Sequence, residues 1–158
     1  MVRTLPLWLL LACASAGSAP VAPAREDLAS MERDVARRVN QHRQGKRLPA
    51  LRFDTAVASV ARAHSLDMAR GRVPLGHDGF KGRANAVERF VVFDEIAENV
   101  ALNDYPRTRT VSVAIDGWLH SAHHRENIEG AFDLTGVGIA RSRNGTYYFT
   151  QVFVARRR

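Results

Sequence analysis

The sequence is poor in cysteine and has no apolar run long enough to cross a membrane. Its one cysteine, Cys13, lies in the N-terminal segment, so the chain beyond it offers neither disulfide bonds nor thiolate ligands. A metal ion would have to be bound through histidine and carboxylate groups. The longest apolar stretch, Leu5 to Ala16, is shorter than the about 20 residues that a membrane-spanning helix needs, and we therefore expect no transmembrane helix.

Residues 1–16 have the three-part layout of a secretory signal peptide. Arg3 precedes the apolar run, and Ala14 and Ala16 are small residues at the two positions that a signal peptidase reads. We therefore predict cleavage after Ala16 and an extracytoplasmic protein, either secreted or periplasmic. The alternative is a lipoprotein, because Leu10-Leu11-Ala12-Cys13 resembles a lipobox in which Cys13 would be acylated.

The remaining chain is predicted to form one domain. Residues 17–25 are rich in proline and alanine, which is typical of an extended linker. The domain is predicted over residues 26–155, and residues 156–158 form a basic tail. The sequence has no internal repeat, and its length suits a single domain.

The charge of the chain is strongly positive, with a formal net charge of +7. Apart from the terminal arginines and a small group at Arg141 and Arg143, the bases are scattered, which argues against a nucleic-acid groove. We expect no nucleic-acid partner. A solvated basic surface in contact with anionic wall polymers or lipids of the cell envelope is the favoured interpretation.

Three amphipathic helices are indicated by apolar residues at helical spacing. The first begins near Asp27 and ends before Gly45. The second has Asp54 as its N-cap and is closed by Gly71. The third begins at about Thr110, and its apolar stripe includes Trp118.

The end of the chain changes to the period of β-strands. Val137 and Ile139 alternate with glycines, and Asn144-Gly145 is a common hairpin turn. In residues 147–154, the side chains of both strand faces are largely apolar. A strand of this kind is covered on both faces. Helices followed by such strands predict an α/β fold, a three-layer α-β-α sandwich with a small antiparallel sheet.

The middle of the chain is less regular. The stretch from Arg83 to Phe93 follows neither period, and Ile96 to Leu102 predicts a short helical turn. Within that turn, Glu98 and Asn99 stand among apolar residues. They are candidates either for a functional site or for buried groups that cap local backbone.

Three segments concentrate the groups that can carry chemistry. The loop Gly76–Phe80 presents His77 between glycines, Ala97–Ala101 contains Glu98, and Trp118–Ile128 contains three histidines. Such a density of titratable groups favours a functional site in the folded domain.

Six motifs in a fixed order resemble the CAP superfamily (SCP-like; cysteine-rich secretory, antigen 5, pathogenesis-related), in its bacterial branch. The similarity extends over nearly all of residues 27–155. The motifs are Ala63-His64-Ser65-Leu66-Asp67-Met68-Ala69, Gly76-His77, Ala97-Glu98-Asn99-Val100-Ala101, Gly117-Trp118 with Ser121-Ala122-His123-His124-Arg125-Glu126-Asn127-Ile128, Gly136-Val137-Gly138-Ile139-Ala140, and Tyr148-Phe149-Thr150-Gln151-Val152-Phe153.

The resemblance implies the α-β-α sandwich and a cleft lined by His77, Glu98 and His124. In some members of the family, such a cleft holds zinc or another divalent ion. Two imidazoles and one carboxylate would give a three-ligand site with an open position. The animal and plant branch has a second glutamate where this chain has Ser121, so the resemblance implies a triad of ligands in place of a tetrad.

We therefore expect a secreted CAP domain protein that is not an enzyme and whose cleft binds a small or lipidic ligand, a divalent ion or a partner. An extracytoplasmic hydrolase or protease, with or without a metal, is the alternative. The sequence has no His-Glu-x-x-His helix and no Gly-x-Ser-x-Gly elbow, and Ser121 near His124 lacks the oriented acid that a triad requires. A purely structural interaction module is a third hypothesis.

The other histidines are expected to have structural or surface roles. His64 lies on an apolar helical face, where a hydrogen-bonded core residue is commoner than a ligand. His120 and His123 match no ligand of the family and are expected at the surface.

Overall fold

The computed structural model describes residues 27–157, in which five helices surround a four-stranded sheet. The predicted signal peptide, lipobox and linker lie outside the described residues. Between residues 27 and 157, none of the helices is long and apolar enough to cross a bilayer. The elements are α1 (Leu28–Gly45), β1 (Arg52–Phe53), α2 (Thr55–Ala69), α3 (Phe80–Glu88), β2 (Phe93–Asn103), α4 (Arg107–His120), α5 (Ala122–Glu129), β3 (Leu134–Arg141) and β4 (Tyr147–Arg156).

The sheet has the strand order β1-β3-β4-β2. Strands β2, β4 and β3 are antiparallel neighbours, and the two residues of β1 pair with β3 in parallel. The predicted hairpin is confirmed, since β3 and β4 are joined through a turn in which Gly145 has a φ of 95°. A left-handed φ of this size favours glycine.

Strand β4 is covered on both faces, as predicted. One face carries Tyr147, Phe149 and Phe153, which belong to a core shared with α1 and α4. The other face carries Val152 and Val154, which pack in a second core with residues of α2. The α/β three-layer sandwich predicted from the sequence is therefore confirmed.

The helix starts follow from their capping residues. The Asp54 side chain accepts hydrogen bonds from the backbone amides of Ala56 and Val57, so the predicted N-cap of α2 is confirmed. Asp27 caps α1 in the same way through the amide of Ser30. Helix α4 begins at Arg107, slightly before the predicted start.

The predicted helical turn at Ile96 to Leu102 is wrong. This segment is the centre of β2 and pairs with β4 without a break from Glu95 to Asn103. Sheet pairing with an already buried strand outweighs the weak local helical pattern. Phe93, the last residue of the stretch that follows neither period, is the first residue of β2. It pairs with Arg156, the last residue of β4.

Helix α2 lies unusually close to β3 because two glycines remove the side chains between them. A Cβ atom at Gly136 would lie 2.2 Å from the backbone nitrogen of Ala58, and one at Gly138 would lie 2.1 Å from that of Arg62. Real Cβ atoms do not approach backbone so closely. These contacts fix the first half of α2 against β3.

Candidate functional site

His77 and Glu98 form a hydrogen-bonded pair. His77 lies in the loop between α2 and α3, where Gly76 and Gly79 take φ values of 150° and 76°. Its Nδ1 is 2.9 Å from Glu98 Oε1. The side chain of His77 is 45% exposed and that of Glu98 only 1%. Because a carboxylate can only accept, His77 Nδ1 carries the proton of this hydrogen bond.

Arg83 completes this cluster, and no motif in the sequence points to it. From the first turn of α3, its Nε and Nη2 donate to the two carboxylate oxygens of Glu98 at 2.7 and 2.6 Å. It also donates to the backbone carbonyls of Asp78, at 2.7 Å, and His77, at 3.3 Å. One guanidinium therefore holds both the buried carboxylate and the loop that presents His77. We call His77, Arg83 and Glu98 the polar cluster.

His124 lies near the polar cluster without a hydrogen bond to it among the described residues. Burial lowers the pKa of its imidazole, and the charges of His123 and His77 lower it further. Its backbone carbonyl accepts from Asn99 Nδ2 at 2.9 Å. The structure thus brings His77 and Glu98 into contact and places His124 within electrostatic range of His77.

Two asparagines attach α5 to β2 beside Glu98. Asn127 Nδ2 donates to Asn99 Oδ1 at 2.8 Å and to the backbone carbonyl of Glu98 at 3.3 Å. Asn99 is fully buried. The amide that follows Glu98 in the motif therefore has the structural role that we gave as one of two alternatives.

His64, His120 and His123 have the structural and surface roles expected of them. His64 is buried, and its Nε2 hydrogen-bonds the Gly76 carbonyl at 2.8 Å. Burial lowers the pKa of this imidazole, in the direction opposite to the effect of that hydrogen bond. His64 is thus a core residue that anchors the loop before His77. His120 and His123 are exposed.

The polar cluster in this arrangement does not fit a divalent metal ion. Both oxygens of Glu98 accept from Arg83, and one also accepts from His77. A dication at this carboxylate would lie beside a fixed guanidinium charge and would be repelled. Within residues 27–157, no group of three or more His, Cys, Asp or Glu side chains is arranged to hold a metal.

A groove between α2 and α3 adjoins the polar cluster. Its volume is about 530 Å³, and His64 and Arg83 form part of its wall. The size lies in the range of pockets that accept small molecules. We call it the α2–α3 groove; its apolar lining includes Val60, Ala63, Val73, Ala86 and Phe90.

Several solved structures share this fold. An outer surface protein of Borrelia burgdorferi superposes with a TM-score of 0.71 at 17% identity, covering 83% of this chain and 96% of that one. An extracellular protein of Bacillus anthracis that contains an SCP domain gives 0.70 at 27% identity, over 88% of this chain and 45% of that one. A cysteine-rich secretory protein of Staphylococcus aureus gives 0.67 at 20%, over 90% and 44%.

The chain therefore spans less than half the length of the Bacillus and Staphylococcus proteins. No protein of curated function matches the sequence. The family model for the cysteine-rich secretory protein family, abbreviated CAP, matches residues 36–153, which include all three residues that the sequence analysis assigned to the cleft. With this match and the shared fold, the chain belongs to the CAP family.

Proposed function

We propose that this CAP domain acts outside the cytoplasm as a binding protein for a small amphipathic or lipidic molecule. The observation that carries the proposal is the α2–α3 groove, where an apolar surface meets the polar cluster through a shared residue, Arg83. A ligand with one apolar and one polar part matches this division. Arg83, held in place by the buried carboxylate of Glu98, then forms the polar side of the ligand site.

The apolar part of the ligand would cover exposed hydrophobic surface. Phe90 at the end of the groove is 59% exposed, more than any other large apolar side chain in residues 27–157. Ala63 and Ala86, on the facing helices, leave space between α2 and α3. Removing such surface from water stabilises a complex by about 25 cal/mol per Å².

The polar part of the ligand would lie at the rim. Asp78 and Arg89 line the groove together with Arg83, so the rim offers both signs of charge. A polar or zwitterionic head group can meet such a rim without leaving a buried charge unpaired.

Binding is favoured over hydrolysis by the groups that surround the histidines. Among residues 27–157, no serine, threonine or tyrosine hydroxyl hydrogen-bonds to the ring of His77 or His124. A nucleophile normally lies within hydrogen-bond reach of its base. The proposal also needs no metal, because Arg83 already balances the charge of Glu98.

An extracytoplasmic location is supported by two independent features. The first 16 residues have the layout of a signal peptide. The similar proteins of Borrelia, Bacillus and Staphylococcus are described as an outer surface, an extracellular and a secretory protein.

The test is the binding of a fluorescent fatty acid, cis-parinaric acid, to the wild type and to Ala63→Trp. Ala63 is an exposed groove residue on α2, so the indole should fill the groove without disturbing the core. We expect saturable binding by the wild type and at least a tenfold weaker affinity in the variant, equivalent to about 1.4 kcal/mol.

Ala131→Trp is the matched control, because Ala131 is exposed and lies outside the groove. It should bind the probe as the wild type does, and circular dichroism should show the same fold in all three proteins. Equal affinity in Ala63→Trp and the wild type would place the ligand elsewhere and contradict the proposal.

A further inference from the structure

One end of the molecule concentrates positive charge without any acidic lining residue. A depression of about 940 Å³ lies between the end of α2 and the β3–β4 turn, and four arginines line it. Arg70 and Arg72 lie just after the end of α2. Arg141 is the last residue of β3, and Arg143 lies in the β3–β4 turn. We call these four residues the arginine end.

The four residues of the arginine end differ in how their charges are compensated. Arg70 and Arg143 are exposed, and neither has an acidic partner within the part of the chain that the structure describes. Arg72 pairs with Asp67 at 3.0 Å, and both side chains remain exposed. Arg141 lies over the Tyr147 ring, 5.1 Å from its centroid, so its charge is held at the surface.

Exposed apolar side chains lie beside these arginines. An adjoining depression of about 560 Å³ shares Arg72 and Tyr148 with the first and adds Leu75 and Leu102. Leu66, in the first depression, is 37% exposed, Leu75 48% and Leu102 43%. Three of the six large apolar side chains that are exposed in residues 27–157 thus lie at this one end.

We infer that the arginine end, with Leu66, Leu75 and Leu102, docks on an anionic lipid surface. Guanidinium groups form bidentate hydrogen bonds with phosphate, and leucines enter the interfacial region of a bilayer. A soluble polyanion would use the arginines and leave the leucines in water. A neutral apolar partner would leave the charges of Arg70 and Arg143 unmatched, so only an anionic bilayer matches both features.

The docking surface is separate from the α2–α3 groove, with which it shares only Val73 at its margin. The inference therefore holds or fails independently of the proposed ligand. A domain docked in this way would keep the groove and the polar cluster free of the bilayer contact.

Cosedimentation with vesicles tests the inference. We expect the wild type to bind vesicles of phosphatidylglycerol and phosphatidylcholine at 0.1 M salt and not to bind pure phosphatidylcholine. Arg70→Glu/Arg143→Glu should lower the partition coefficient by at least about tenfold, because each arginine near an anionic surface contributes a several-fold attraction. Binding should also weaken at 0.5 M salt, where surface charges are screened.

Arg33→Glu/Arg47→Glu is the charge-matched control. Both residues are exposed and belong to α1 and its end, so the net charge changes equally but the arginine end does not. This control should retain most of the binding. Equal losses in the two double variants would reduce the effect to net charge and overturn the inference.

The leucines distinguish a bilayer from a soluble polyanion. Leu75→Ser should weaken vesicle binding several-fold and leave binding to soluble polyphosphate unchanged. If Leu75→Ser and Leu102→Ser both bind vesicles as the wild type does, no apolar contact with lipid exists and the inference is wrong. Unfolding by urea checks that each variant is folded.

Discussion

At the scale of single residues, Arg83 decides the chemistry of the cleft. Its two hydrogen bonds to Glu98 form a bidentate pair in which the carboxylate is 1% exposed and the arginine 12%. Pairs of this kind hold both partners in a fixed geometry. Arg83 thus supplies a permanent positive charge at the carboxylate that the family resemblance assigns to a divalent ion.

A prediction for zinc follows from this pairing. We expect isothermal titration to detect no zinc binding by the wild type that depends on His77. Arg83→Gln removes the repelling charge and releases Glu98 beside His77, so zinc affinity should rise by at least tenfold, about 1.4 kcal/mol. The gain should vanish in Arg83→Gln/His77→Ala.

Arg89→Gln, at the end of the same helix, is the control and should not gain affinity. Loss of the buried partner is expected to lower the free energy of unfolding of Arg83→Gln by about 3 kcal/mol or more, so its folding must be checked first. The wild-type comparison does not depend on that variant. Zinc binding by the wild type that disappears in His77→Ala would show that the guanidinium does not exclude the ion.

The residues of the cluster were not equally predictable from the sequence. His77 and Glu98 belong to motifs and could be predicted together from the sequence. Arg83 lies in a stretch without clear periodicity, and an arginine there has no local feature that separates it from solvated ones. Its role arises only when α3 turns back over β2, a contact between segments that are 15 residues apart.

At the scale of elements, local pattern predicted β3 and β4, which are neighbours in sequence, and failed for β1 and β2, whose partners are not. The Asn144-Gly145 turn and the apolar run of residues 147–154 indicate the hairpin of β3 and β4. Strand β2 pairs only with β4, about 50 residues later, and its apolar spacing is compatible with a helical turn. A single sequence does not show which distant strand a segment will pair with.

The close contact of α2 with β3 gives a prediction at this scale. Gly138→Ala would place a methyl group 2.1 Å from the Arg62 backbone, and no side-chain rotation can relieve a clash with backbone. We expect the free energy of unfolding to fall by about 3 kcal/mol or more, at the upper end of overpacking effects. Urea denaturation measures the change.

Gly117→Ala is the matched substitution in a helix. Gly117 is exposed in α4, and no atom lies within 4 Å of its added Cβ. It should raise the free energy of unfolding by up to about 1 kcal/mol, as alanine does in helix interiors. If both alanine variants unfold at the same urea concentration, the tight contact between helix and sheet does not constrain the fold.

At the scale of the whole molecule, the layers are joined by buried polar groups as well as by the two apolar cores. Glu32 of α1 is 1% exposed, accepts from Arg62 of α2, and also accepts from the amide of Ile139 in β3. The layer order followed from the patterns of helices and strands. The ion pair of Glu32 and Arg62 did not, because each partner alone resembles a surface charge on an amphipathic helix.

The dependence of global stability on pH follows from the histidines that the fold buries. Burial lowers the pKa of His64 and of His124 below the ordinary value of 6.5. Near pH 6 the unfolded chain therefore binds more protons than the folded one, so stability is fully present above pH 6.5 and is lost as the pH falls below it. We expect a slope of up to about 1.4 kcal/mol per pH unit for each histidine.

Urea denaturation at intervals between pH 7.5 and 5 measures this slope, in a range where carboxylates with ordinary pKa values remain mostly ionised. His64→Gln should be less stable at pH 7.5, because it disturbs the anchor of the His77 loop, and should lose less stability on acidification. His124→Gln, at a less buried position, should flatten the slope with a smaller change at pH 7.5. A wild-type profile that is level over this range would mean that neither imidazole is held in its neutral form by the fold.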